Sequence, residues 1–321
     1  MTKTKVAVLR GGPSSEYDVS LKSGTSVLDN LNREKYEPID IFVDKNGQWY
    51  IGGIQKKPEV ALANIDVVWN ALHGEYGEDG EVQKILDDIG VPYTGSKHLA
   101  SALSIDKIKT KKTLANSGVK MAQHLELLKN DTKSLNEIFR VTPNPSVVKP
   151  VSLGSSIGVT IVRDFFDLQN ALEKAFAVTD QIMIEEYIDG REATCGVIEN
   201  FRGKDLYALP VTEIIPAPEH DFFDYEAKYG GGSKEICPSN FSDDTKGELE
   251  RLAVLVHKTL GLSHYSRSDF IVHPKRGIYF LEVNTLPGLT KESLIPKAIE
   301  AVGSSLPEFL DHVITIAINE K

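Results

Sequence analysis

Two runs in the last fifth of the chain, HYSRSDFIVHP and GIYFLEVN, constrain its fold and chemistry more than any other feature. Both are rich in β-branched and aromatic residues and read as strands. Pro274–Lys275–Arg276–Gly277 between them reads as a hairpin turn. A hairpin closed there pairs His273 with Ile278, which sets Asp269 opposite Glu282 and Arg267 opposite Asn284. Side chains two apart on a strand share a face, so all four polar groups point the same way. Two carboxylates facing each other across a sheet repel. A divalent cation between them removes that repulsion, and a carboxylate, carboxylate, amide donor set suits Mg²⁺ or Mn²⁺. Asp269, Glu282 and Asn284 are therefore candidate metal ligands. The competing reading, a polar strand face turned to solvent, stays open on this feature alone.

A chain of 321 residues exceeds one ordinary core and suggests two or three domains. Hydrophobic content of 41% with 26% charged residues places it among globular proteins. The net charge of −10 is spread along the chain, which argues against a nucleic-acid binder with its basic stripe. The two cysteines, Cys195 and Cys237, form no CxxC, so a thiolate metal site is not expected. No apolar run reaches the length needed to span a bilayer. The start, MTKTKVAVLRGG, enters a strand at once and leaves no room for a signal peptide. The expected location is the cytoplasm.

The first third alternates strand and helix. Lys5–Leu9, Pro38–Val43, Ile65–Leu72 and Val91–Thr94 read as strands, and Ser20 reads as the cap of a helix carrying Leu21, Val27, Leu28 and Leu31 inward. A second helix spans about 80–89. This rhythm implies a parallel sheet wrapped by helices, with ligands beyond the carboxyl ends of its strands, where Glu16 and His73 lie. From Ser96 the pattern turns helical, with Ser104 as a further candidate cap, so a boundary is expected near residue 100. Later come a helix near Phe166–Phe176, a long strand Leu206–Ile215, and a helix with Leu249, Leu252, Val256 and Leu260, stopped by Gly261. The expected class is α/β (α+β), divided as 1–100, 101–195 and 196–321.

Val147–Val148–Lys149–Pro150 is a strand end that delivers a lysine, followed by Ser152–Leu153–Gly154–Ser155–Ser156–Ile157–Gly158. Small residues with two glycines let backbone N–H groups converge on an anion, and the lysine adds a point charge. It is no Walker A loop, since GxxxxGK[ST] is absent. Downstream, Gln181–Ile188 is an apolar strand running into Glu185 and Glu186. Its edge could hold an adenine, and Glu192 could accept from ribose hydroxyls.

Taken together, these residues resemble the ATP-grasp superfamily, and within it the D-alanine–D-alanine ligases. The motifs that carry the resemblance run nearly the full chain: Gly11–Glu16 with Val19–Leu21, His73–Gly74 with Gly77–Gly80, Tyr93–Ser96, Asp106–Lys107, Lys149–Pro150 with Gly154–Ser156, Asp224–Tyr229, Arg267–Asp269 and Glu282–Gly288. One departure is local: the family usually carries a polar, charged pair before the loop glycine, and here Ser152–Leu153 stand there. The resemblance implies an ATP-grasp fold with an N-terminal parallel-sheet domain, a central lid domain and a C-terminal domain. It implies phosphorylation of one D-alanine by ATP to an acyl phosphate, then attack by the amine of a second, for peptidoglycan precursor synthesis. It assigns Lys107 and Lys149 to ATP phosphates, Glu192 to the ribose, and the segment Glu186, Tyr187, Ile188 to adenine, with Glu185 engaging its exocyclic amine or a nearby donor. Asp269, Glu282 and Asn284 would hold two Mg²⁺ (or Mn²⁺). Arg267 and the Gly288 N–H would stabilise the oxyanion. Glu16, oriented with Ser155 and Tyr229, would take the first ammonium, with His73 nearby. Lys228 would approach the transferred phosphate and Ser293 the second carboxylate. A homodimer is the family's common state, so the expected partners are small-molecule substrates and a second copy, with no nucleic acid and no membrane. Another ATP-grasp ligase, including a D-alanine–D-lactate type, is the alternative.

The loop 216–235 is about 20 residues long, and loops beyond about 12–15 residues are often lids. Its Phe222, Phe223, Tyr225 and Tyr229 with Gly230–Gly232 suit a cover that excludes water from a hydrolysable acyl phosphate.

Overall fold

A computed structural model describes residues 2–216 and 233–320. The described residues build three sheets. In the first third, β1 (Thr4–Gly11), α1 (Tyr17–Asn30), β2 (Tyr36–Val43), β3 (Trp49–Ile51), β4 (Ile54–Lys56), α2 (Pro58–Ala61), β5 (Val67–Asn70) and α3 (Glu81–Ile89) follow one another. The sheet order is β4-β3-β2-β1-β5, with β1 parallel to β2 and β5. Val6 through Leu9 have no exposed surface, as expected of a central parallel strand covered on both faces. Val91–Thr94, expected as a strand, reduces to a single bridge between Tyr93 and Val68, because Pro92 has no N–H to extend the ladder. The β3–β4 hairpin was not anticipated; these strands have only three residues each and no long alternation.

Helix α4 (His98–Ile105) and α5 (Lys107–Leu114) lead to a four-stranded antiparallel sheet. It comprises β6 (His124–Leu128), β7 (Ser146–Pro150), β8 (Thr160–Val162) and β9 (Gln181–Glu186), ordered β6-β9-β7-β8, with α6 (Leu135–Val141) and α7 (Phe165–Phe176) on one face. Asp164 opens α7 in a capping box with Asp167, and Leu168, Ala171, Leu172 and Ala175 turn inward at helical spacing.

The third sheet is also antiparallel: β13 (Ser233–Ile236), β12 (Thr212–Pro216), β10 (Arg191–Phe201), β14 (Tyr265–His273) and β15 (Gly277–Asn284), with β11 (Lys204–Ala208) beside β10. The long strand expected over Leu206–Ile215 is two strands, β11 and β12. Pro210 lies at the break, where it can donate no ladder hydrogen bond. Helix α8 (Asp243–Thr259) packs Leu249, Leu252, Ala253 and Val256 on this sheet, and α9 (Leu294–Ala301) and α10 (Leu306–Asn319) finish the chain. One core runs between the first and last thirds: Val6, Val8 and Trp69 meet Ile198, Tyr265, Phe309, Val313 and Ile314. Among the described residues no helix is long and apolar enough to cross a membrane.

Three local expectations are corrected. Ser20 caps nothing: α1 begins at Tyr17, and the buried Ser20 hydroxyl accepts from the Gly11 N–H and donates to the Ala71 carbonyl, both at 2.8 Å. Its inward face is Val19, Ser20, Ser23, Gly24 and Val27, while Leu21 and Leu28 are only partly covered. Asp106, not Ser104, caps α5, accepting from the N–H groups of Ile108 and Lys109. In the β14–β15 hairpin His273 pairs with Gly277, one residue earlier than expected, and Gly277 takes a φ of +85°. A bulge between Asp269 and Phe270, with Leu281 as the extra residue, restores the register, so Asp269 does face Glu282 and Arg267 does face Asn284.

Candidate active site

Two adjoining cavities open between the three sheets, and Lys107, Leu153 and Glu282 line both. The first lies beyond the carboxyl ends of β1 and β5. It gathers Glu16, His73, Ser155, Arg267, Gly288 and Ser293. The second is a slot between the two antiparallel sheets, lined by Lys149, Glu185 through Ile188, Glu192 and Asp269. Of the expected site residues, only Lys228 and Tyr229 lie outside the described residues, together with 217–232 of the expected lid.

In the first cavity Ser155 donates to the Glu16 carboxylate. This bond joins the loop after β7 to the start of α1. At Gly154 an added Cβ would lie 2.8 Å from the second Glu16 oxygen, so any side chain there would displace that carboxylate. Ser155 and Ser156 sit in the left-handed region, with φ of +51° and +57°, a strain that clusters at functional turns. His73 is buried and shares a 2.9 Å hydrogen bond with the Ser23 hydroxyl. Burial pushes its imidazole towards the neutral form. Ser293 begins α9, and its hydroxyl accepts from the Thr290 N–H at 3.1 Å. It would meet any side chain on Gly288, at 3.0 Å.

On the strand pair, Arg267 donates from Nε and Nη2 to the two oxygens of Asp269, at 2.9 and 2.8 Å. Thr194 on the neighbouring β10 adds a third bond to Asp269 at 2.6 Å. Glu282 faces the Lys107 ammonium at 3.2 Å, and Lys107 also donates to the Leu153 carbonyl at 2.9 Å. The Asn284 amide, oriented to satisfy both neighbours, donates to Glu78 at 2.9 Å and accepts from Arg267 at 3.3 Å. The three oxygen donors and their register fit a hard divalent cation.

In the slot, Glu185 is almost wholly buried and its two oxygens are engaged by Lys111 and Lys149. Those lysines hold its carboxyl low although burial alone would raise it. Glu186 pairs with Arg276 at 2.5 Å. The N–H groups of Glu186 and Tyr187 are spent on the carbonyls of Gln123 and Pro145. Ile188 packs with Ala122 and Tyr279 to form an apolar wall.

Sequence reasoning missed three residues. Glu78 stands in a quoted motif but was given no role. It is buried and accepts from the N–H groups of Gly74 (2.8 Å) and Leu286 (3.1 Å), so it ties the loop after β5 to the end of β15. Burial first, then Glu16, pushes its carboxyl up to about 8. Lys111 lies four residues after Lys107 on the same helix, a spacing that puts both on one face and could have revealed it. Thr194 had no signal, since a threonine in a strand is ordinary.

A second acid–imidazole cluster, Glu199–His264–Glu320, brings its ligand atoms within 4.8 Å of one another. His264 Nδ1 accepts the Gly95 N–H at 2.9 Å, so the ring proton sits on Nε2, which faces Glu320 at 3.0 Å. A ring nitrogen carrying a proton is no metal ligand, and the cluster is a structural staple.

The antiparallel sheet pair closing on a lysine- and carboxylate-lined slot, set against a parallel-sheet unit, is the ATP-grasp fold. Comparison narrows the class. The family models described as D-ala D-ala ligase N-terminus and C-terminus match residues 5–61 with 53–96, and 113–315. The D-alanine–D-alanine ligase of Citrifermentans bemidjiense is 41% identical over 99% of this chain and 97% of its own. That of Clostridium beijerinckii is 39% identical over 97% of each. Among solved structures, the VanG D-Ala:D-Ser ligase from Enterococcus faecalis superposes with a TM-score of 0.85 at 32% identity, covering 98% of this chain and 100% of that one. The D-alanine–D-alanine ligase from Bacillus anthracis gives 0.80 at 34% identity, covering 98% of each. The chain belongs to the D-alanine–D-alanine ligase family.

Proposed function

We propose that this protein joins two D-alanine molecules at the expense of ATP, giving D-alanyl-D-alanine, ADP and phosphate, for peptidoglycan precursor synthesis. The observation that carries the reading is the junction of the two cavities at Lys107 and Glu282. A nucleotide in the slot would present its terminal phosphate where the first cavity holds a carboxylate substrate. A carboxylate is a poor electrophile; phosphorylation gives it a leaving group, and the protein then works by positioning and charge stabilisation.

In this reading the peptide of Ile188 meets the adenine, Glu192 takes the ribose, and Lys107 and Lys149 carry phosphate. Glu16, held by Ser155, binds the ammonium of the first D-alanine beside neutral His73. Arg267 and the Gly288 N–H stabilise charge on the tetrahedral intermediate. Ser293 receives the carboxylate of the second D-alanine. Asp269, Glu282 and Asn284 would hold Mg²⁺, two ions by the family's pattern, which neutralise phosphate charge. Lys228 and Tyr229 complete the site by resemblance, on a loop that closes over it. The division into units 1–100, 101–195 and 196–321, the homodimer and the cytoplasmic location belong to the same proposal.

The substrate assignment is tested by supplying D-alanine and D-lactate at equal concentration near neutral pH, with ATP and Mg²⁺, and resolving products by mass. D-alanyl-D-alanine should dominate. Dominance of D-alanyl-D-lactate would overturn the acceptor while leaving the ATP-grasp reading intact.

A further inference from the structure

Three charged side chains are buried at one end of the slot. Lys111, Glu185 and Lys149 are 3%, 2% and 9% exposed. Glu185, at the end of β9, lies between two ammonium groups: one of its oxygens pairs with Lys111 and the other with Lys149. Lys111 is fixed further by donating to the Ala122 carbonyl at 2.9 Å. Lys149 and Glu185 line the slot; Lys111 is not among its lining residues. Burial pulls the Lys111 ammonium towards its neutral form, and the Glu185 carboxylate opposes that pull. His124, opposite Glu185 on β6, is pushed towards neutrality by desolvation and by Lys111, so it adds no charge.

The charge count follows. One carboxylate between two ammoniums leaves one positive charge over. With Lys111 removed, Glu185 and Lys149 would form a neutral pair, and a buried ion pair holds its partners together strongly. Lys149 would then have no net charge to offer an anion. We propose that Lys111 is a positioning residue of the nucleotide slot, taking up the charge of Glu185 so that Lys149 remains available to phosphate. The inference rests on the ATP reading above. It adds to it a residue that touches no ligand yet sets the affinity for the charged part of the nucleotide.

The test separates phosphate from base. Purified full-length protein is titrated calorimetrically with ADP plus Mg²⁺ and, separately, with adenosine. Lys111→Met should weaken ADP about tenfold or more, the scale of one charge lost at short range, and leave adenosine within about twofold. Lys111→Arg should restore most of the ADP affinity. Lys111→Met combined with Glu185→Gln returns the count to one positive charge and keeps an acceptor oxygen at 185, so its ADP-to-adenosine affinity ratio should recover towards wild type. Should Lys111→Met fail to fold, Lys111→Gln, which can still donate to the Ala122 carbonyl, carries the same comparison. Unchanged ADP affinity in the Lys111 variant, equal loss of ADP and adenosine, or no recovery in the double variant would each overturn the proposal. Failure of the wild-type protein to bind ADP at all would overturn the nucleotide reading instead.

Discussion

At the scale of single residues, the site works by close approach. Gly154 meets the Glu16 carboxylate so nearly that a methyl group must displace it. Gly154→Ala should leave the fold intact, because the end of the Glu16 side chain can yield. KM for D-alanine should nonetheless rise by roughly tenfold or more, since small misplacements at a reacting centre are expensive. Steady-state kinetics beside a thermal melt check both halves. Glu282→Gln keeps shape and removes one charge from the proposed metal site. Activity should fall at least ~10²-fold at ordinary Mg²⁺, the scale of losing a charge-stabilising group. Turnover near wild type would sink the metal assignment. Strand periodicity put Asp269 with Arg267, and Glu282 with Asn284, on one face of each strand, and the facing of the two pairs came out as expected only with the help of a bulge. Lys111 and Glu78 were missed. Their partners lie 74 and 208 residues away, in Glu185 and Leu286; the helical spacing from Lys107 marks the face Lys111 occupies, but no local pattern names a contact at that separation.

At the scale of elements, α5 and the β14–β15 hairpin position the chemistry. Asp106 caps α5, which presents both Lys107 and Lys111 to the slot's surroundings. Asp106→Ala should cost about 1 kcal/mol of stability, as lost caps do, and raise KM for ATP with kcat less affected. Denaturant unfolding and initial rates test the pair of effects. A stability loss without any change in KM would separate the cap from the site. The hairpin shows where element-level reading stops. Its turn was placed one residue late, and the site register was still right because the Leu281 bulge compensates for the tight turn at Gly277. A bulge has no composition signature, so neither half of that compensation is visible in the residues. The expected cap Ser20 failed for a related reason: serine before an apolar run suits a cap, but two buried backbone groups, on Gly11 and Ala71, needed its hydroxyl more.

At the scale of the whole molecule, the first and last thirds share a core, and the staple at its edge is an imidazole facing a carboxylate. Glu320, just past α10, pairs with His264 at the start of β14, while His264 also accepts from Gly95. The His264 ring, its Nε2 3.0 Å away, holds the Glu320 carboxyl below its ordinary value. A carboxyl depressed by folding adds stability above its unfolded pKa and loses it as pH falls through the folded value. Glu320→Gln should therefore lower Tm at neutral pH, and the difference from wild type should shrink below about pH 4. Melts across that range decide it; a gap that widens in acid would contradict the sign. The parallel first sheet was legible from strand–helix rhythm, whereas the packing of Val6, Val8 and Trp69 on Phe309 and Ile314 was not, since apolar faces do not name their partners. The central claim is that this assembly couples ATP cleavage to ligation of D-alanine, and phosphate release measures it directly. With ATP and Mg²⁺ present, phosphate should appear only when D-alanine is added, in equal amount with D-alanyl-D-alanine. Binding of ATP with no D-alanine-dependent phosphate would contradict it.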